Sequence, residues 1–154
     1  MIFNFINRIK DFFNTNLRIR GIVFKGLGVA SKTLEKQMQI FKHTIPNLRN
    51  YHIGTINVLT EKAIVFNKPP IQTDFIQWDK DFPHEQFKFV PCEIECNSRR
   101  TKAMVYIPSW SPHTPSTRKW EVIASENLGR VESGDLVTLI FSDYIVNRKW
   151  AALI

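Results

Sequence analysis

The sequence has no apolar run long enough to cross a bilayer as a helix, which takes about 20 residues, so no helical membrane span is expected. Met1 to Leu17 is apolar and basic, but Asn4, Asn7, Arg8, Lys10 and Asp11 interrupt it. The compact apolar core and small-residue cleavage site of a secretion signal are missing, and the expected location is cytoplasmic. Cysteine is scarce, with only Cys92 and Cys96. On one strand they would share a face roughly 13 Å apart, at about 3.3 Å per residue. A disulfide needs Cα atoms within about 7 Å, so both read as core thiols. Four scattered histidines (His43, His52, His84 and His113) add no zinc-binding spacing. There is also no internal repeat and no alternating strand–helix pattern, which argues against repeat arrays and parallel α/β folds.

What the chain does have is a core-forming composition, 44% hydrophobic with 12 Phe and 4 Trp. Its formal charge of +7 favours anionic partners such as nucleotides, nucleic acid or an acidic surface. A solvated basic face explains the same charge equally well.

Periodicity divides the chain into short elements. Ile2, Phe3, Phe5, Ile6, Ile9, Phe12 and Phe13 recur at helical spacing, which predicts an N-terminal amphipathic helix over residues 1–18. It would pack on the domain or across a homodimer. A strand follows at Ile19–Phe24. Ser31 reads as an N-cap with Glu35 in the first turn, and Leu34, Met38 and Phe41 form a core-facing stripe over about three helical turns. Ile53–Leu59 and Ala63–Phe66 read as strands, joined as a hairpin across Thr60–Lys62. Residues 69–85 read as a loop region lying over the domain. A hairpin is predicted over residues 87–107, with the apolar face switching near Pro91 and a turn at Asn97–Arg100. Trp120–Ala124 and Leu136–Phe141 are the last strands, and a tail over residues 142–154 should dock its apolar residues. Many short strands with one internal helix predict a mainly β fold, a small β-barrel, over residues 19–141.

Two motifs carry chemistry. Gly26-Leu27-Gly28 closes the first strand, and a loop with two glycines lets backbone N–H groups approach an anion. Gly54-Thr55-Ile56-Asn57 opens the next strand. Thr55 and Asn57, two apart, present their oxygens on one side, where they suit a hard cation such as Mg²⁺. Each motif alone is a common turn or strand sequence. Together they suggest a phosphate-plus-Mg²⁺ site.

The order of these segments resembles the archaeal CTP-dependent riboflavin kinases. Residues 21–28 (Gly-Ile-Val-Phe-Lys-Gly-Leu-Gly) are followed by a helix and then by residues 54–58 (Gly-Thr-Ile-Asn-Val). Val90-Pro91-Cys92-Glu93-Ile94, Ala103-Met104-Val105-Tyr106-Ile107-Pro108, Glu121-Val122-Ile123-Ala124 and Gly134-Asp135 continue the likeness over about residues 19–141. The resemblance implies a six-stranded cradle-loop barrel and transfer of the γ-phosphate of CTP to the 5′-hydroxyl of riboflavin, giving FMN. It further implies that Gly26, Leu27, Gly28, Val29, Ala30 and Ser31 wrap the nucleotide, and that Thr55 and Asn57 hold Mg²⁺. Ser111 and Glu121 would contact the flavin, Glu121 also orienting or deprotonating the attacking hydroxyl.

Two departures from the family pattern stand out. Ala30 replaces the second loop glycine. The family's basic nucleotide loop is shortened here to Ser125-Glu126-Asn127-Leu128-Gly129-Arg130, so Asn127, Leu128, Gly129 and Arg130 would serve in its place. These departures motivate an alternative, a non-catalytic flavin- or nucleotide-binding module. A less favoured third reading is a nucleic-acid binder built on Arg18, Arg20, Arg99, Arg100, Lys102, Arg118 and Lys119 with Trp110 and Trp120; no nucleic-acid motif supports it.

Overall fold

The computed structural model describes residues 16–26, 30–43, 45, 51–52, 54–67, 71–110, 116–126, 128–143 and 145–147. Residues 1–15 of the predicted N-terminal helix, Leu27–Val29, Ser111, Asn127 and most of the predicted tail lie outside them. Alternating apolar residues in the described segments form seven strands: β1 (Asn16–Val23), β2 (Ile56–Thr60), β3 (Ile71–Gln72), β4 (Phe87–Cys96), β5 (Arg99–Pro108), β6 (Lys119–Ala124) and β7 (Leu136–Ser142). One helix, α1 (Ala30–Phe41), sits between β1 and β2.

Every strand pairing is antiparallel. The order β4-β5-β6-β2-β1-β7 returns to β4 through a β7–β4 pairing, so six strands close into a barrel and β3 adds to β4 from outside. Closure removes the unpaired edges that a sheet of this size would otherwise expose. The expected small barrel is therefore present.

The barrel interior is apolar. Ile19, Val58, Val90, Ile94, Val105, Val122, Leu139 and Phe141 fill it from successive strands. A second core lies on the outer face of β4, β5 and β6. There Phe87, Phe89, Met104, Tyr106 and Ile123 meet Leu34, Met38 and Phe41 of α1. The helical stripe read from the sequence is thus the face that docks the helix.

The two cores also explain the pattern change near Pro91. The β4–β5 register runs from Phe87 opposite Pro108 to Cys96 opposite Arg99 without a bulge. The strand does not switch sides. Phe87 and Phe89 point outward under α1, while Val90, Ile94 and Cys96 point into the barrel. Asn97 and Ser98 alone form the turn, both in left-handed backbone (φ 52° and 61°), the type I′ geometry that matches strand twist.

Three expectations are corrected. β1 begins at Asn16 rather than Ile19, so the strand takes the last residues assigned to the N-terminal helix. Helix α1 begins at Ala30, which places Ser31 inside it rather than at its cap and Glu35 beyond its first turn. Ala63–Phe66 is not a strand paired with β2. Thr60 donates its backbone N–H to Arg118 O and Ile64 donates to Thr117 O. Asn147 donates to Val65 O, and Phe66 forms an isolated bridge with Val146. Ile145 and Val146 are buried in the barrel core, so the start of the tail docks as expected.

The cysteines are free, and Cys96 is buried while Cys92 packs half-buried against the barrel core. Burial pushes the Cys92 thiol up to about 12. Only about one molecule in 10⁴ would carry the reactive thiolate at pH 8. Cys92 is therefore expected to resist a thiol reagent at pH 8 in the folded protein and to react at the free-thiol rate in denaturant. Its raised value stabilises the fold fully below about pH 9, and that contribution is lost as pH rises from 9 towards 12. Cys92→Ala should flatten the stability profile across that range; rapid native labelling of Cys92 would contradict the burial argument.

Candidate functional site

The two sequence motifs meet in space. Asn57 lies on β2 with its neighbours Ile56 and Val58 packed on the barrel core, so its side chain faces outward. The chain after β1 passes directly over it. Phe24 donates its backbone N–H to Asn57 O at 3.0 Å. A Cβ added at Gly26 would stand 2.2 Å from Asn57 Nδ2, far inside any contact a real Cβ makes. Glycine at position 26 is therefore what leaves room for the Asn57 amide. Gly54 takes φ +149°, which a side chain would strain, and so sets the entry into β2.

Thr55 lies two residues before Asn57. Its hydroxyl is buried and takes part in no hydrogen bond. Burying an unsatisfied hydroxyl costs about 1–3 kcal/mol, so an oxygen placed this way fits a site built for a ligand. Thr55 and Asn57 line an open cleft of about 540 Å³ with Val23, Phe24, Lys25, Val131 and Glu132. Among the described residues no group of three or more His, Cys, Asp or Glu could hold a metal. A Thr–Asn pair would hold Mg²⁺ only together with oxygens of a phosphate and water, as the donor chemistry of that ion allows.

Glu121 stands beside this pair. It is directly opposite Asn57 in the β2–β6 ladder and directly opposite Tyr106 in the β5–β6 ladder. Trp120, Val122, Ala103 and Val105 face the barrel interior, so Glu121 and Tyr106 share the outer face with Asn57. Directly opposed residues have Cβ atoms about 4.5–5.5 Å apart. Burial chiefly, then the carboxylates of Glu85 and Glu121, holds the Tyr106 phenol well above its ordinary range, while its hydrogen bond to Gln37 opposes that. Tyr106 therefore stays a neutral donor, and its hydroxyl donates to Gln37 Oε1 on α1.

The remaining predicted residues are placed as follows. Ala30 takes a helical backbone as the first residue of α1, so alanine needs no left-handed conformation there. Leu128 is 4% exposed in the barrel core, so its side chain is structural. Gly129 turns the chain with φ +80°. Arg130 is exposed and pairs with Glu132 at 2.7 Å, beside the cleft.

Sequence reasoning missed Tyr106, which only the strand register brings beside Glu121. It also gave no role to Glu132 and Ser133, which line the cleft.

Three of the seven cations of the third reading form ion pairs within the protein, and a fourth bonds a backbone carbonyl. Arg18 pairs with Glu95 at 3.2 Å, Arg20 with Glu61 at 3.4 Å, and Arg100 with Glu93. Arg118 Nε donates to Thr60 O at 2.8 Å. Trp120 packs against Phe66 with ring centroids 5.1 Å apart and faces the barrel core. No known protein-family model matches the chain, and no curated protein matches it significantly. No helix among the described residues is long and apolar enough to cross a membrane.

Proposed function

We propose that the protein is a phosphotransferase of the riboflavin-kinase kind, moving the γ-phosphate of CTP or another nucleoside triphosphate to the 5′-hydroxyl of riboflavin. The observation that carries this reading is the Gly26–Asn57 contact beside the unsatisfied Thr55 hydroxyl. Thr55 and Asn57 would hold Mg²⁺, which when bound neutralises charge on the transferring phosphates. Helix α1 starts at Ala30, four residues after Gly26 in the sequence, and a helix N-terminus favours a phosphate placed there. Glu121 would orient the acceptor hydroxyl and take its proton as the new O–P bond forms and the bond to the β-phosphate oxygen breaks. Phosphoryl transfer depends mainly on positioning and charge neutralisation, which suits a site with this few groups.

The test is riboflavin phosphorylation with Mg²⁺ and CTP, ATP, GTP or UTP supplied separately. FMN should form with at least one nucleotide, and Asn57→Ala should abolish it. Riboflavin binding without turnover under all four would overturn the kinase reading. It would favour a non-catalytic flavin- or nucleotide-binding module, which the pairing of Arg130 with Glu132 already suits, because that charge is partly spent within the protein.

A further inference from the structure

We propose that Trp110 is the platform on which the planar ring of the acceptor stacks, an assignment that rests on the riboflavin reading above. Trp110 is 67% exposed, unusual for so large an aromatic ring. Yet both of its N–H groups are fixed. Its backbone N donates to Glu85 Oε1 at 3.1 Å, and its indole Nε1 donates to His84 O at 3.3 Å. The ring is thus anchored at its edge while most of its surface stays open to solvent.

The anchor is itself well built. Glu85 is 5% exposed, and its second carboxylate oxygen accepts from Trp78 Nε1 at 2.9 Å. Its backbone bonds Ile76 in both directions, at 2.9 and 2.8 Å. Trp78 stacks on Phe82 with centroids 4.6 Å apart. The buried carboxylate is thus satisfied by one indole N–H, that of Trp78, and one backbone N–H, that of Trp110, which offsets the cost of burying it.

Adjacency links this anchor to the candidate site. Trp110 comes two residues after the end of β5, the strand that carries Tyr106, and Tyr106 is opposite Glu121, which is opposite Asn57. Trp110 therefore stands on the Glu121 side of the cation pair, where the acceptor rather than the nucleotide belongs. A flat heterocycle laid on an anchored indole gains about 10- to 100-fold in affinity.

Riboflavin emission is quenched when its ring stacks on an indole, so binding can be read apart from turnover. Riboflavin would be titrated with the wild type, Trp110→Phe and Trp110→Ala, with thermal melts run alongside, and KM for riboflavin and for the nucleotide measured in turnover. Trp110→Ala should lose the quenching and weaken riboflavin binding roughly 10- to 100-fold with the nucleotide KM unchanged. Trp110→Phe should stay within a few-fold of the wild type. Unaltered riboflavin binding by a folded Trp110→Ala would overturn the platform and leave the kinase reading standing. Wild-type binding that depends on Trp110 without turnover would support the platform and sink the kinase reading. No binding of riboflavin by the wild type would sink both.

Discussion

Under the proposed kinase reading, Gly26→Ala is expected to cut riboflavin phosphorylation about 100-fold while leaving the melting temperature nearly unchanged. The new Cβ would meet Asn57 Nδ2 at 2.2 Å. That atom is the free end of a side chain, so the fold relieves the clash by rotating the amide away. The proposed Mg²⁺ site of Thr55 and Asn57 would not survive the same rotation, because displacing a positioning group by about 1 Å costs about 100-fold in rate. Gly21 is the contrasting case. A Cβ there would stand 2.8 Å from the Leu59 carbonyl oxygen, a backbone atom that only a shift of β2 can move. Measuring kcat and a thermal melt on the same Gly26→Ala sample checks the prediction. Full activity would show that Asn57 is not needed where it stands, and a large fall in melting temperature would show that Gly26 serves the fold instead.

Phe41→Ala should cost about 3–5 kcal/mol of stability, the usual penalty for emptying an aromatic site in a core. Phe41 is fully buried, and its ring meets Phe87 and Phe89 edge-on at 4.7 and 5.2 Å. A helix of 12 residues is marginal in water by itself. Its docking therefore depends on this contact with Leu34 and Met38 beside it. Urea denaturation followed by circular dichroism measures the loss. A change below about 1 kcal/mol would mean that α1 is held by something other than the second core.

The contrast between these two sites shows what the sequence makes legible. Leu34, Met38 and Phe41 are visible because helical periodicity is a local signal. The β4–β5 hairpin is visible for the same reason, through alternation on both sides of Asn97-Ser98. Ala63–Phe66 misleads because a short apolar run looks the same whether it pairs in a ladder or is buried as irregular chain. Here its backbone bonds go to residues 117 and 145–147, far away in sequence. In the candidate site, Thr55 and Asn57 can be found from their spacing on one strand. The closeness of Gly26 to Asn57, and of Tyr106 to Glu121, is set by strand register and barrel closure, which no local pattern encodes. Glu85 is hidden more deeply, since it sits in a stretch of irregular composition and its partners are the Trp78 indole and the backbone N–H of Trp110.

Phe89 and Val90 are neighbours in β4, yet one is sealed beneath the helix and the other inside the barrel. The strand is a shared wall between two rooms. Neither room can be opened by moving that wall without exposing the other. Tyr106 belongs to the helix-side core and is opposite Glu121, which is opposite Asn57, so the candidate site borders that core on the same outer face.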